Sequence, residues 1–276
     1  MSIWFITGAS RGFGSEIVRA ALDRGDSVVA TARDPQRIRE AVGEHDELLT
    51  VALDVTDPTQ AEAAARAAVE RFGRIDVLVN NAGRGLVGGV EEASDAEVRA
   101  LFDVNVHGVL TVLRAVLPVM REQRSGRVIN ISSSGGFVAR AGWGVYSATK
   151  FAVEALSESL RREAAPLGIQ VTAVEPGGFR TDFLDGSSLT AAEHTLPDYA
   201  ATVHETRKWA EQTNHSQPGD PKKAAKVIAD LIDVDELPER LQLGQDCFDL
   251  VGEKLRLVEH ERDLWRSVSV STALDN

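Results

Sequence analysis

Short apolar runs alternate with helical stretches through most of this chain, and few folds accept that pattern. The runs are Ile3–Thr7, Ser27–Ala32, Leu48–Leu53, Ile75–Val79, Arg127–Ile131 and Ile169–Val174. Between them lie helical patterns at Ile17–Leu22, Thr59–Phe72, Asp95–Gln123 and Val145–Leu167. Strands spaced by helices imply right-handed βαβ units, hence a doubly wound parallel α/β sheet covered on both faces. Strands buried on both faces read as continuous apolar runs, as Val77-Leu78-Val79 and Val128-Ile129 do. After Val174 the pattern weakens. Pro176–Gly219 contains no clear strand, helices are expected over Ala200–Gln212 and Pro221–Asp233, a short strand at Leu241–Leu243 and a last helix over Phe248–Trp265. No shift of composition marks a boundary, so residues 1–276 read as a single domain.

Composition removes several classes of function. An apolar share of 43% in 276 residues supports a sizeable core. The balance of 30 basic against 42 acidic side chains, net −12, repels nucleic acid and anionic membrane, so neither is an expected partner. A local pocket can still be positive. The lone cysteine, Cys247, permits no intramolecular disulfide and no cysteine-based metal site, and the six histidines show no ligand spacing, so no metal is expected. The N-terminus lacks a basic segment before its apolar run, and no stretch approaches the ~20 apolar residues of a membrane helix. These features lead to an expectation of a cytoplasmic protein.

Thr7-Gly8-Ala9-Ser10-Arg11-Gly12-Phe13-Gly14 ends the first strand and opens the first helix. Glycines let the backbone turn tightly and approach a pyrophosphate, whose charge then meets the helix N-terminus. Three glycines alone also make a purely structural turn; the strand–turn–helix context is what favours phosphate. At the end of the second strand, a site selective for NAD carries Asp or Glu for the ribose 2′-hydroxyl. Here the sequence is Thr31-Ala32-Arg33, without a carboxylate. Arg33 and Arg11 offer guanidiniums suited to a 2′-phosphate, so the expected cofactor is NADP(H). The competing reading is two solvated surface arginines.

Ser132-Ser133-Ser134 ends the fifth run, and Tyr146 and Lys150 follow in Tyr146-Ser147-Ala148-Thr149-Lys150. Tyrosine and lysine four apart share one helical face. A phenol titrates near ~10 and is a poor acid–base at neutral pH, but a nearby ammonium favours the phenolate. A serine hydroxyl can hold a carbonyl oxygen while the tyrosine protonates it.

Taken together, these motifs resemble the short-chain dehydrogenase/reductase family. They are Thr7–Gly14, Asp54-Val55-Thr56-Asp57, Asn80-Asn81-Ala82-Gly83, Asn105, Ser133, Tyr146 with Lys150, and Pro176-Gly177 followed by Thr181. The resemblance implies a Rossmann-like sheet of about seven parallel strands. It assigns Tyr146 as general acid–base, Lys150 as the group that lowers its pKa and binds the nicotinamide ribose, Ser133 as the residue orienting substrate, and Asn105 as holder of a water relay to Lys150. The cofactor contacts it implies are Gly8, Ser10, Arg11, Gly12, Phe13 and Gly14 in the turn, Arg33, Asp54, Val55 and Asn81, then Pro176, Gly177, Phe179 and Thr181. Asp54 has a plainer reading as a helix-entry cap. A homodimer or homotetramer joined through two long helices is implied as well.

Substrate choice is expected in a lid over residues 182–219, a stretch too long to be an ordinary connection. Phe183, Leu184, Leu189, Leu196, Tyr199 and Trp209 from it, and Phe137, Val138 and Trp143 from before the tyrosine, are candidates for an apolar wall; packing of the lid onto the body is the alternative. Thr31-Ala32-Arg33 with Ser133-Ser134-Gly135-Gly136 resembles the carbonyl reductase and 17β-hydroxysteroid dehydrogenase subgroup, implying a medium-sized apolar ketone or secondary alcohol. An epimerase would need a longer C-terminal region, and an enoyl reductase a wider Tyr–Lys spacing. A non-catalytic NADP(H) sensor remains the alternative from another class.

Overall fold

The computed structural model describes residues 1–274. The first half runs β1 (Ile3–Thr7), α1 (Gly12–Asp23), β2 (Ser27–Ala32), α2 (Pro35–Val42), β3 (Leu48–Ala52), α3 (Pro58–Phe72), β4 (Val77–Asn80) and β5 (Gly85–Val87). Then come α4 (Asp95–Phe102), a π-helical turn (Asp103–His107), α5 (Gly108–Gln123), β6 (Gly126–Ile131), α6 (Gly144–Ala164) and β7 (Ile169–Pro176). The chain ends with β8 (Leu189–Ala191), α7 (Val203–Thr213), α8 (Pro221–Asp230), β9 (Arg240–Leu243), α9 (Gln245–Leu264) and α10 (Arg266–Val270).

Seven strands form one parallel sheet in the order β3-β2-β1-β4-β6-β7-β9. The order reverses between β1 and β4, which opens a crevice beyond their C-terminal ends. Alternation along β1 divides the core. Trp4 and Ile6 face a layer built with α1 and α8, whereas Phe5 faces α3, α5 and α6. Each such fully buried side chain contributes about 1.5–3 kcal/mol over exposure. Helix starts follow local chemistry. Asp34 and Asp57 cap α2 and α3, each followed by proline, and Ser94 with Glu97 forms a reciprocal cap on α4.

Three expectations change. The region expected to lack strands contains β8, which pairs in parallel with β5 in a separate two-stranded sheet; three-residue strands carry too little pattern to see. α2 forms between the second and third runs, where no helix is expected. The continuous helix Asp95–Gln123 reaches a mean hydropathy of 1.5 over 18 residues, so it is long and apolar enough by composition to cross a membrane. Its apolarity has a packing cause: it faces the sheet, with 44% of that window buried.

Candidate active site

The crevice at the strand reversal widens into a cavity of about 750 Å³. Its floor is the glycine turn. Gly8 and Gly12 take left-handed backbone, at φ +65° and +54°. A Cβ on Gly14 would lie 2.2 Å from the Gly8 carbonyl oxygen, so α1 can begin here only with glycine. The Asn81 side-chain amide donates to the Thr7 and Gly8 carbonyls at 2.9 and 3.1 Å, tying the turn to the end of β4. Arg11 at the N-cap gives α1 no side-chain cap, and no acidic residue stands in the first turn. The turn therefore presents uncapped amides and the positive end of a helix, a fit for a pyrophosphate.

Arg33 lines the cavity, as do Ala32, Asp54 and Val55. Arg33 makes no hydrogen bond or ion pair that is resolved among the described residues, whereas Arg11 reaches across to the Ser187 hydroxyl at 2.7 Å and carbonyl at 2.9 Å. Asp54 does not cap α3; Asp57 does. Asp54 instead accepts from the Thr56 amide and hydroxyl and so shapes the turn before the helix.

Opposite the turn, Pro176, Gly177, Phe179 and Thr181 form a strip along the cavity. Phe13 and Phe179 pack ring against ring at 5.1 Å, bridging floor and strip. Asp246, in the first turn of α9, accepts from the Gly178 amide at 2.7 Å and crowds Gly177, where a Cβ would lie 2.2 Å from its Oδ1. Asp246 was not anticipated; the only signal was an acid just after Gly244.

The reactive groups sit where the two walls meet. Tyr146 and Lys150 are both buried on α6, and Ser133 lies beside them at the edge of a short 3-10 turn, its Oγ accepting from the Gly135 amide at 3.0 Å. Ser132 and Ser134 are more buried than Ser133. Burial pushes the Tyr146 phenol up to about 12, with a hydrogen bond from Ser133 pulling the other way. Trp143 and Phe183 cover its ring at 5.6 and 5.5 Å. Burial also pulls Lys150 down to about 8, while Glu154 opposes this. Lys150 donates to the Ile131 carbonyl at 2.8 Å and lies 5.9 Å from the phenol ring centre. In the free chain the phenol is thus raised by burial rather than lowered, and Ser133 is the group that opposes the rise.

Asn105 sits in the π-helical turn, only 1% exposed. Its amide nitrogen donates to the Arg84 carbonyl and the Thr149 hydroxyl, and its oxygen accepts from the Arg84 amide. A Cβ on Gly83 would lie 3.4 Å from that oxygen and 3.7 Å from Lys150 Nζ, so both polar atoms flank one point. The extra residue of a π turn is a common device at functional sites.

The lid leaves the body at Arg180 and returns at Gly219, whose carbonyl accepts from the Arg180 amide at 3.0 Å. Phe183, Leu184 and Trp209 line the cavity with Val138 and Trp143. Phe137 does not: it closes the 3-10 turn, and the next residue, Val138, meets the cavity instead. Leu189, Leu196 and Tyr199 also lie elsewhere, Tyr199 donating to Glu91 at 2.6 Å. The lid is anchored on Glu92, whose buried carboxylate accepts from the Gly89 and Leu196 amides and pairs with Arg207 at 2.8 Å, with His204 3.3 Å away. Burial would raise this acid, but those donors outweigh it and bring it down to about 2.

The short chain dehydrogenase family profile matches residues 2–191. Oxidoreductase BOA17 of Botryotinia fuckeliana is 38% identical over 273 residues, covering 98% of this chain and 99% of that one. A 3-ketodihydrosphingosine reductase of Bacteroides thetaiotaomicron is 36% identical over 242 residues, covering 88% and 87%. The crystal structure of a short-chain dehydrogenase from Streptomyces avermitilis superposes with a TM-score of 0.91 at 43% identity, covering 99% of this chain and all of that one.

Proposed function

This chain belongs to the short-chain dehydrogenase family of oxidoreductases, and we propose that it moves a hydride between NADP(H) and a medium-sized apolar ketone or secondary alcohol. The observation that carries this reading is one cavity bounded by the uncapped glycine turn, Arg33, and the Ser133–Tyr146–Lys150 cluster. Ala32 rather than a carboxylate at the end of β2, with Arg33 next to it and free to meet a 2′-phosphate, supports NADP(H) over NAD(H). Val138, Trp143, Phe183, Leu184 and Trp209 support an apolar substrate. So does the relative named 3-ketodihydrosphingosine reductase, which carries a keto group in its name. These features fit the carbonyl reductase and 17β-hydroxysteroid dehydrogenase type.

The nicotinamide supplies or accepts the hydride when bound. The protein's own residues hold the reacting atoms and move the proton. Ser133 orients the substrate oxygen, and Tyr146 donates its phenolic proton to that oxygen in reduction or removes it in oxidation. Lys150, still mostly protonated at neutral pH, stabilises the phenolate as it forms. Asn105 fixes the Arg84 backbone and shares one point of approach with Lys150, a position suited to holding a water through which a proton is relayed to Lys150. A sensor would need none of these groups, whereas this chain places Ser133, Tyr146 and Lys150 at one cavity and keeps Asn105 buried close to Lys150. A cytoplasmic location and a homodimer or homotetramer belong to the same proposal; the exposed apolar side chains of α9 and α10, among them Leu255, Val258 and Trp265, support self-association.

The test is oxidation of NADPH and NADH, followed by absorbance, against a panel of apolar ketones and aldehydes. Turnover with NADPH and little with NADH is expected. Equal rates with the two would overturn the cofactor assignment, and NADPH binding with no turnover on any carbonyl would return the sensor reading.

A further inference from the structure

A second ionisable cluster lies behind the serine segment, and the chemistry above does not use it. Tyr146, Lys150 and Glu154 follow one another at single-turn intervals on α6, all buried. Glu175, 0% exposed, is the penultimate residue of β7, directly before Pro176. One cation serves both acids: Arg240 Nε lies 3.1 Å from Glu154 Oε2 and 3.6 Å from Glu175 Oε1. That guanidinium is also shared with Glu158, at 2.8 Å. Gln242 donates to Glu175 Oε2 at 2.6 Å. The other two oxygens, Glu154 Oε1 and Glu175 Oε1, have no conventional donor of good geometry among the described residues. Two buried carboxylates facing each other over a single shared cation cannot both stay ionised at modest cost. One proton between the two orphaned oxygens removes both deficits, because it turns an acceptor into a donor and leaves a single negative charge for Arg240.

We propose that Glu154 and Glu175 share one proton, and that the pair positions the reaction machinery by holding the Ser132–Gly136 segment against α6 and limiting the negative charge that faces Lys150. The packing is direct. A Cβ on Gly136 would lie 2.4 Å from Ser132 Oγ and 3.2 Å from Glu154 Oε1, so no side chain separates the segment from the acid. Ser133 is the adjoining residue. Burial raises both acids, Glu154 to about 7; the Glu175 charge raises Glu154 further, while the Ser132 hydroxyl and Arg240 pull Glu154 down and Gln242, Arg240 and a hydrogen bond from Glu154 pull Glu175 down. The charged and titratable neighbours are Lys150 and Glu158 on α6, Arg240 on β9, and Asp246 and Cys247 on α9. The Cys247 thiol is pushed up to about 12 by burial and the surrounding acids, so it stays neutral. Ser132 brings no charge. Glu154 and Glu175 are positioning residues in this account, because neither reaches the substrate.

The proton should be visible directly. Infrared spectra of the full chain at about pH 6 and about pH 8.5 bracket the raised value. A buried carboxylic-acid carbonyl band is expected at the lower pH, lost at the higher, and missing from both Glu154→Gln and Glu175→Gln. No such band in the natural chain, or one that survives in both variants, overturns the proposal. Stability gives a second reading. A raised carboxyl contributes stability that is present below its ordinary value and lost as pH rises through about 7. The melting temperature of the natural chain should therefore fall across that range more than that of Glu154→Gln, and identical slopes would count against the shared proton. The kinetic reading rests on the proposed reductase activity: the pH profile of kcat should show an ionisation near 7 that Glu154→Gln lacks. A profile shared by the two proteins would overturn the link to the reaction. Infrared and melting data need no turnover, so an inactive protein would sink the reductase reading and leave this one still testable.

Discussion

The two walls of the cavity are held in place by different means. The wall at the ends of β1, β4, β6 and β7 is backbone and helix, and its shape follows from ladder hydrogen bonds and from glycines where no Cβ fits. Among the described residues the lid wall has a three-residue strand pair, a few backbone hydrogen bonds such as that from Arg180 to Gly219, and side-chain anchors, of which Glu92 with Arg207 is the most buried. A wall built into the sheet keeps its reactive atoms in register for any substrate. A wall pinned by side chains can differ between relatives without disturbing the sheet, so recognition can change while the chemistry is kept.

If that division is right, variants on the two walls should fail in different ways. The largest effect belongs to the sheet wall. Tyr146→Phe should lower kcat by about 10²–10⁴-fold while leaving NADPH affinity nearly unchanged, measured by titration of the cofactor's fluorescence. Near-normal turnover would remove the tyrosine from its role. On the lid wall, Arg207→Ala leaves Glu92 buried without its cation, which should cost about 3–5 kcal/mol in thermal or denaturant unfolding. The same pair sets a pH dependence. Glu92 is held down to about 2, so its contribution is present above the ordinary glutamate range and is lost as pH falls toward that value. Arg207→Ala should bring this acid-side loss to higher pH, and unfolding curves between neutral and acid conditions would read it. An unchanged acid limb would show that the anchor is not energetic.

Gly14→Ala comes next. Its Cβ would lie 2.2 Å from the Gly8 carbonyl oxygen, so about 1–3 kcal/mol of overpacking is expected, with weakened cofactor binding and an intact lid. A variant that binds NADPH as the natural chain does would show that the turn can relax. The smallest effect is Arg33→Ala. It should weaken NADPH about tenfold, about 1.4 kcal/mol, and barely change NADH. Parallel losses for both dinucleotides would mean that Arg33 does not meet a 2′-phosphate.

Much of the sheet wall was legible in the residues. The six apolar runs mark β1, β2, β3, β4, β6 and β7 within a few residues, and most plainly β1, β2 and β4, because a strand buried on both faces cannot disguise its composition. Tyr146 and Lys150 were legible because four residues is the repeat of a helix face. Asn105 was legible as an oddity within a helix, but not the π turn that buries it, since that depends on packing around the Arg84 backbone. The lid was legible only as a long segment. Phe137 and Val138 were indistinguishable as wall candidates until the 3-10 turn chose between them. Glu92 and the Glu154–Glu175 pair carried no local signal, and Asp246 only that of an acid just after Gly244.

From its sequence alone this chain was bound to a parallel α/β sheet, a phosphate-suited turn after the first strand, and a helix presenting tyrosine and lysine on one face. Those features are local or periodic, and short-range sterics and hydrophobic alternation suffice to encode them. The tertiary structure alone decided which acids face one another, which lid residues reach the cavity, and how far burial moves Tyr146, Lys150 and Glu92 from their ordinary titration. Those depend on contacts between segments distant in the chain. The charge state of a buried group is set by how many donors surround it, and that number exists only once the chain has folded.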